Sequence, residues 1–292
     1  SDWTVVEADE FDRSFLHLSP FASIITSTDA DHLDIYGDNE VFLDGFKSYI
    51  ELVNPNGFTI MQASIDLPAS NKVTYGLDSE ADFTGSSLRL ENGLFLMDVQ
   101  TAQGCWYDVE LGVPGTHNAE NALACIALCV KLNLTELEIR NALKSFSGVK
   151  RRFEYHVRSE KLIYIDDYAH HPTEINALLD SIALLYPGKK VTAIFQPHLF
   201  SRTRDFHTEF ARALSRLDEV ILLPIYPARE LPIKGITSAA LAEDIVSNEK
   251  SVMSPSEAVD FVSTISEGVV LTMGAGDIDR IVAELKQRLS VT

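Results

Sequence analysis

The sequence predicts an α/β protein in two parts, and three observations carry that expectation. Its 292 residues exceed what one hydrophobic core usually organises, so two domains are expected. Beyond residue 148, apolar strand-like runs alternate with helical patterns, the mark of a mostly parallel sheet covered on both faces. Between residues 57 and 113, short alternating segments are instead punctuated by Asn-Gly, Gly and Asp, which predicts antiparallel hairpins.

In chain order, "TVVEAD" and "ASIITST" read as buried parallel strands, each running into an acidic loop, and 40–53 reads as a helix. The hairpin region supplies "KVTYGL", "SSLRLE", "GLFLMDV" and "CWYDVEL". Helices over 117–132 and 135–146 follow. The second opens with Thr135 as N-cap and Glu138 three residues on, a capping box. A break at "FSGVKRRF" divides 1–148 from 149–292. Past it come "KLIYID", a helix from 172, "KVTAIF", a helix from 203, "EVILLPI", helices near 238 and 256, "GVVLTM" and a last helix from 277. Pro172 suits a first helical turn. Ile175, Leu178, Leu179 and Ile182 share one face of that helix, and Phe206, Phe210 and Leu214 one face of the next.

Composition narrows the function classes. Forty-three acidic residues against 24 basic ones give a net charge of −19, which argues against a nucleic-acid partner, since phosphate binding needs a basic face. The apolar runs are too short to cross a bilayer, no targeting segment is visible, and a cytoplasmic location is expected. Cys105, Cys125 and Cys129 make no disulfide framework, and core packing is expected of Cys125 and Cys129. The chain begins at Ser1 close to a strand, which suggests a portion whose N-terminus lies upstream.

Polar residues concentrate where strands end. "DDYAHHPTE" places Asp166, Asp167, Tyr168, His170 and His171 between a strand and the helix at Pro172. Capping accounts for one Asp and one His; the remainder point to a site. "IFQPHLFSRTRDF" repeats the geometry with Gln196, His198, Arg202 and Arg204, and two arginines beside a helix start suit a carboxylate or phosphate. In a parallel sheet such ends are where ligands collect. Near the front, Glu7, Asp9, Glu10 and Asp12 follow one strand, and Asp29, Asp31, His32 and Asp34 the next. Adjacent parallel strands would join these loops into a set able to hold Mg²⁺ beside a nucleotide. Asn118 and Asn121 lie three apart in "GTHNAEN", where spacing alone favours a cap and an exposed amide. "KRRF" at 150–153 reads as surface charge or as a phosphate-reaching arginine, and "GAGD" at 274–277 as a glycine turn. No G-x-x-x-x-G-K-[ST] occurs.

Taken in order, "EADEFDRSFLHL", "DADHLDIYG", "GTHNAENALA", "KRRFEY", "DDYAHHPTE" and "FQPHLFSRTRDF" closely resemble the Mur ligases of peptidoglycan synthesis over essentially the whole chain. The resemblance implies that 1–148 is the later part of a central ATPase α/β domain and 149–292 a Rossmann-like C-terminal domain. The UDP-sugar domain and P-loop would then lie outside this chain, which alone is expected to be inactive. Implied too is ATP- and Mg²⁺-dependent joining of L-alanine to the lactyl carboxylate of UDP-N-acetylmuramate through an acyl phosphate. By motif, Glu7 and His32 correspond to magnesium-site residues. His117, Asn118, Asn121, Arg152, Asp167 and Tyr168 fall in the nucleotide site, with Asp167 near the ribose. Arg202 falls toward the amino-acid carboxylate with His198 nearby, and His170 and His198 are the candidates to take the amine's proton. Some members carry arginine directly after that histidine, where this chain has Leu199. A ligase that recycles a murein tripeptide shares much of the pattern, and a metal-dependent phosphoesterase is the alternative from another class.

Overall fold

A computed structural model describes residues 3–29, 36, 38–91, 94–247 and 249–290. The chain forms two compact units, Ser1–Gly112 with Asn118–Phe146, and Val113–His117 with Ser147–Thr292. Both are α/β with parallel-rich sheets. No helix among the described residues is long and apolar enough to cross a membrane.

The first unit holds a six-stranded sheet in simple sequence order. Its strands are β1 (Ala22–Ile25), β2 (Phe58–Gln62), β3 (Lys72–Leu77), β4 (Phe83–Glu91), β5 (Leu94–Thr101) and β6 (Gly104–Leu111). Helices α1 (Asn39–Glu51), α2 (Thr116–Lys131, most of it in this unit) and α3 (Glu136–Ser145) accompany them. Residues Ala119, Leu123, Ala124, Ile126 and Ala127 of α2 are buried, the helical spacing of one apolar face. Ile60 and Met61 of β2 and Met97, Val99 and Val109 of the hairpin strands have no exposed surface.

Three expectations are corrected here. "TVVEAD" carries no strand; Trp3, Val5 and Val6 stand 53, 91 and 57% exposed, because an apolar run becomes a strand only where a neighbour completes its ladder. The hairpin reading holds for β4, β5 and β6, which pair antiparallel, but β1 through β4 pair parallel. The Asp82 carboxylate, accepting from the Thr74 N–H and hydroxyl at 2.8 and 2.9 Å, ties the β3–β4 loop back in a way no turn signal announces. Cys125 is exposed and Cys105 and Cys129 are partly buried, so Cys125 is not core.

The second unit builds its sheet in the order β11-β10-β9-β12-β8-β7. The strands are β7 (Glu154–Arg158), β8 (Leu162–Asp167), β9 (Val191–Phe195), β10 (Glu219–Leu222), β11 (Glu249–Val252) and β12 (Gly268–Met273). All pairs are parallel except β7 with β8. Its helices are α4 (Pro172–Leu185), α5 (Phe200–Asp205), α6 (His207–Leu214), α7 (Ser238–Asp244), α8 (Pro255–Val262) and α9 (Asp279–Leu289). Tyr164, Ile194, Ile221 and Val270 pack with Ala258, Val259 and Val262 of α8 and Leu285 of α9. The near-continuous apolar strands reflect a sheet buried on both faces. The edge strands β7 and β11 escaped the sequence reading because "EYHVR" and "EKSV" lack an apolar run, as suits edges. The helix expected from 203 starts at Phe200 and breaks at Phe206, and the last helix starts at Asp279 rather than 277.

After β8 the chain passes over one strand position to β9, continues to β11, and returns to place β12 in the gap. Such a reversal of strand order opens a crevice at the carboxyl ends. The capping box at Thr135 forms as expected, with Glu138 Oε2 accepting from the Thr135 N–H at 2.8 Å. Thr135→Ala should therefore lower the urea unfolding stability by about 1 kcal/mol; an unchanged midpoint would show that α3 is held without its cap.

Candidate active site

The last residues of β8 face opposite ways, as alternation along a strand requires. Asp166 is 1% exposed; it accepts from the Thr272 hydroxyl of β12 at 2.5 Å, and Arg151 Nε stands 3.4 Å from its other oxygen. Asp167 binds backbone instead: Oδ2 accepts from Phe153 N–H at 2.7 Å and Oδ1 from Ala169 N–H at 2.8 Å. The Tyr168 N–H donates to the Arg151 carbonyl at 2.6 Å. Segment 151–153 is thereby laced to the turn after β8, although Arg151 at φ +58° and Phe153 at φ +52° adopt a left-handed backbone that large side chains rarely take.

This lacing sets the side chains. The Arg151 and Arg152 guanidinium carbons stand over the Tyr168 ring at 5.0 and 5.3 Å, within cation–π range. Arg152 Nη1 is 3.4 Å from Glu174 Oε1. Glu174 Oε2 accepts from the N–H groups of His170 and His171 at 2.9 and 3.2 Å. His171 is the N-cap of α4 and Glu174 its third helical residue, so a histidine takes the serine or threonine position of a capping box. His170 Nδ1 lies 2.9 Å from the Tyr168 carbonyl. A carbonyl only accepts, so Nδ1 carries a proton, and a ring deprotonated elsewhere would hold its lone pair on Nε2.

The second strand-end loop follows β9. Gln196 is 4% exposed; its amide donates to Asp277 at 2.8 Å and accepts from the Ile278 N–H at 2.9 Å. A Cβ at Gly276 would lie 2.4 Å from Gln196 Oε1, and one at Gly274, at φ +143°, 2.7 Å from the Gln196 carbonyl. The glycines of "GAGD" thus admit the Gln196 loop. Next along, the His198 ring stacks on Tyr226 at 5.7 Å, and its Nδ1 is 3.4 Å from Arg202 Nη1. A guanidinium only donates, so here Nδ1 holds the lone pair and Nε2 the proton. Arg202 is 6% exposed, whereas Arg204 is half exposed and pairs with Asp205 at 2.7 Å, a surface charge.

Charge balance follows from these contacts. Burial pushes the Asp167 carboxyl up to about 6, against the Phe153 and Ala169 N–H groups and Arg152, which pull it down. Burial also acts to raise Glu174, but the His170 charge, the N–H groups of His170 and His171 and Arg152 outweigh it and hold Glu174 below the usual carboxylate range. Asp167 and Glu174, seven residues apart, are driven in opposite directions.

Of the residues singled out in the sequence, Arg152, Asp167, Tyr168, His170, His198 and Arg202 share one strand-end region: the His170 ring lies 5.1 Å from Tyr168 and 6.1 Å from His198. His117 is exposed in the first turn of α2, where the neighbouring Thr116 N–H donates to Ser181 of α4 at 3.0 Å. Asn118 and Asn121 are partly buried on α2 within the first unit. Glu7 is exposed and follows no strand, and His32 lies outside the described residues. The sequence reading missed Glu174, Arg151 and Tyr226. The spacing of His171 and Glu174 was the signal for the first, and Arg151 lies within the "KRRF" run from which Arg152 alone was picked; nothing local marks Tyr226.

These features define a class: α/β chains with a charged crevice at the carboxyl ends of a doubly wound sheet. The family model for the Mur ligase middle domain matches residues 2–129, and that for the Mur ligase glutamate ligase domain matches 151–276. UDP-N-acetylmuramate–L-alanine ligase of Flavobacterium psychrophilum is 45% identical over 286 residues, 98% of this chain and 63% of that protein. The ligase of the same name from Phocaeicola vulgatus is 46% identical over 291 residues, 98% and 63% of the two chains. A crystal structure of UDP-N-acetylmuramate–alanine ligase from Thermotoga maritima superposes with a TM-score of 0.75 at 28% identity, covering 97% of this chain and 62% of that one. The chain belongs to the Mur ligase family. It spans a little under two thirds of the length of these relatives.

The raised Asp167 carboxyl has a measurable sign. Its folded pKa, about 6, lies above the ordinary 3.8, so the folded state holds the extra proton and loses stability as pH rises between those values. Asp167→Asn should lose less stability than the parent across that window. Parallel plots of urea midpoint against pH for the two proteins would contradict the burial assigned to this group.

Proposed function

We propose that this chain is part of an ATP-dependent amide ligase of peptidoglycan biosynthesis that joins L-alanine to the lactyl carboxylate of UDP-N-acetylmuramate. The observation that carries the reading is the facing of two strand-end loops, with His170 and His198 at 6.1 Å. Tyr168 and its two arginines stand on one side and Arg202 on the other. Relatives bearing that ligase's name, at 45 and 46% identity over nearly the whole chain, support the substrate pair.

ATP supplies the phosphoryl group that turns an unreactive carboxylate into an acyl phosphate with a good leaving group. Arg152, Tyr168, Asp167, His117, Asn118 and Asn121 are the residues we assign to the nucleotide, Asp167 to its ribose. Exposed Glu7, in a run with Asp9 and Glu10, offers the oxygen chemistry that Mg²⁺ prefers, and His32 is assigned to the same ion by its motif alone. Arg202 grips the alanine carboxylate and orients the amine. The two tautomers then divide the histidines. His198 spends its Nδ1 lone pair on Arg202 and so positions that arginine. His170, in its neutral form with Nδ1 donating to the Tyr168 carbonyl, takes through Nε2 the proton that the amine sheds as it attacks the acyl carbon.

The test is steady-state kinetics on the gene product that contains these residues. Arg202→Ala should raise the KM for L-alanine about 10–100-fold, the equivalent of one charge-assisted hydrogen bond of about 1.5–3 kcal/mol, with the KM for ATP little changed. His170→Gln should cut kcat by about 100-fold or more and remove the acidic limb of its pH profile, whereas His198→Gln should act mainly on the KM for L-alanine. Equal kcat losses with one shared profile would defeat the division of roles. Faster turnover of a murein tripeptide than of alanine would reassign the acceptor, and metal-dependent phosphoester cleavage without ATP would overturn the ligase reading.

A further inference from the structure

A second cluster lies at the edge of the same sheet, in residues to which the proposed reaction gives no work. Glu154 and His156 stand two apart on β7, and Asp166, the cross-strand partner of Glu154, stands on β8. A break in register between Tyr155 and Val157 sets His156 outside the regular ladder, a bulge of the kind that re-aims a side chain. One ligand atom from each of the three lies within 4.8 Å of the others, with His156 Nε2 3.9 Å from Glu154 Oε2.

The independent sign is the imidazole. The His156 side chain is 10% exposed, and both ring nitrogens are buried without a hydrogen-bond partner. A neutral ring always carries one N–H and one lone pair, and a buried polar group with neither satisfied calls for an ion or a water. Burial, seconded by the nearby Lys286 of α9, acts to lower the proton affinity of His156 against the pull of Glu154 and Asp166. The carboxylates are already anchored from behind, as metal ligands usually are. Glu154 Oε2 accepts from the Arg151 N–H at 2.9 Å and Asp166 Oδ1 from the Thr272 hydroxyl at 2.5 Å.

We propose that Glu154, His156 and Asp166 form a binding site for a divalent first-row transition ion of the zinc type, which pins the edge strand β7 to β8. One imidazole with two carboxylates suits zinc, cobalt or manganese better than the all-oxygen preference of magnesium or calcium. Tetrahedral ligands about 2.1 Å from an ion stand about 3.4 Å apart, so small side-chain rotations close the present spacing. Two carboxylate charges offset the ion beside Arg151 and Lys286. Because Arg151 and Phe153 immediately precede β7, the ion also steadies the segment that crosses Tyr168.

The test titrates the metal-stripped 292-residue chain with Co²⁺ and then displaces it with Zn²⁺. One equivalent of Co²⁺ should bind with the visible absorption of a low-coordinate site. In His156→Gln and Glu154→Gln its affinity should fall by more than the 10–100-fold that loss of an outer-shell partner causes, while Glu7→Gln with His32→Gln leaves it unchanged. In the unmutated chain, NMR of the Co²⁺ form should show one paramagnetically shifted imidazole, a readout that does not depend on a variant folding. Absence of stoichiometric binding, binding indifferent to His156→Gln and Glu154→Gln, or loss only in the Glu7/His32 double variant would each overturn the site.

Discussion

One carboxylate organises the strand-end crevice. Asp167 gives its two oxygens to two backbone N–H groups, one from the segment before β7 and one from the turn after β8. Hydrogen bonds to a charged acceptor are about twice as strong as neutral ones, and these two hold residues 151–153 in a backbone that Arg151 and Phe153 would not choose unaided. The same clamp fixes where the two arginines cross Tyr168. It also leaves Glu174 to serve both the start of α4 and Arg152, so structure and chemistry draw on one short network.

The two histidines show how such a network selects among identical side chains. The ring beside a carbonyl must donate through Nδ1, and the ring beside a guanidinium must accept through it. Neither assignment depends on the rings themselves. Each is imposed by a neighbour that has only one hydrogen-bonding role to offer, and the neighbours are held by the sheet.

Much of the second unit was legible in the sequence because its central strands are long apolar runs with helices between them. "LIYI", "VTAIF" and "GVVLTM" could hardly be anything else. The capping box at Thr135 and the apolar face of α4 were equally plain, since both depend on spacings within a single turn or two. What could not be read depended on partners distant in sequence. "TVVEAD" has the composition of a strand and finds no ladder. β3 pairs parallel with β4 across a short loop whose Asp82 bonds back to Thr74, and β7 is a strand at the sheet edge with β8 beside it. In the crevice, the residues of the two strand-end motifs were visible as clusters. The roles of Arg151 and Tyr226 were not, for they arise from the fold's placing of 151 against 274 and 198 against 226.

The position of β12 has a consequence for how the protein is made. It is the last strand of its sheet to leave the ribosome, yet it occupies the gap between β8 and β9. Until residue 273 emerges, β8 and β9 each present an unpaired inner edge, and Asp166 lacks the hydroxyl of Thr272. Synthesis of the second unit therefore passes through a stage with two open, strongly apolar edges, the kind of intermediate that attracts aggregation or chaperones. Arrival of the final strand closes both seams in one event.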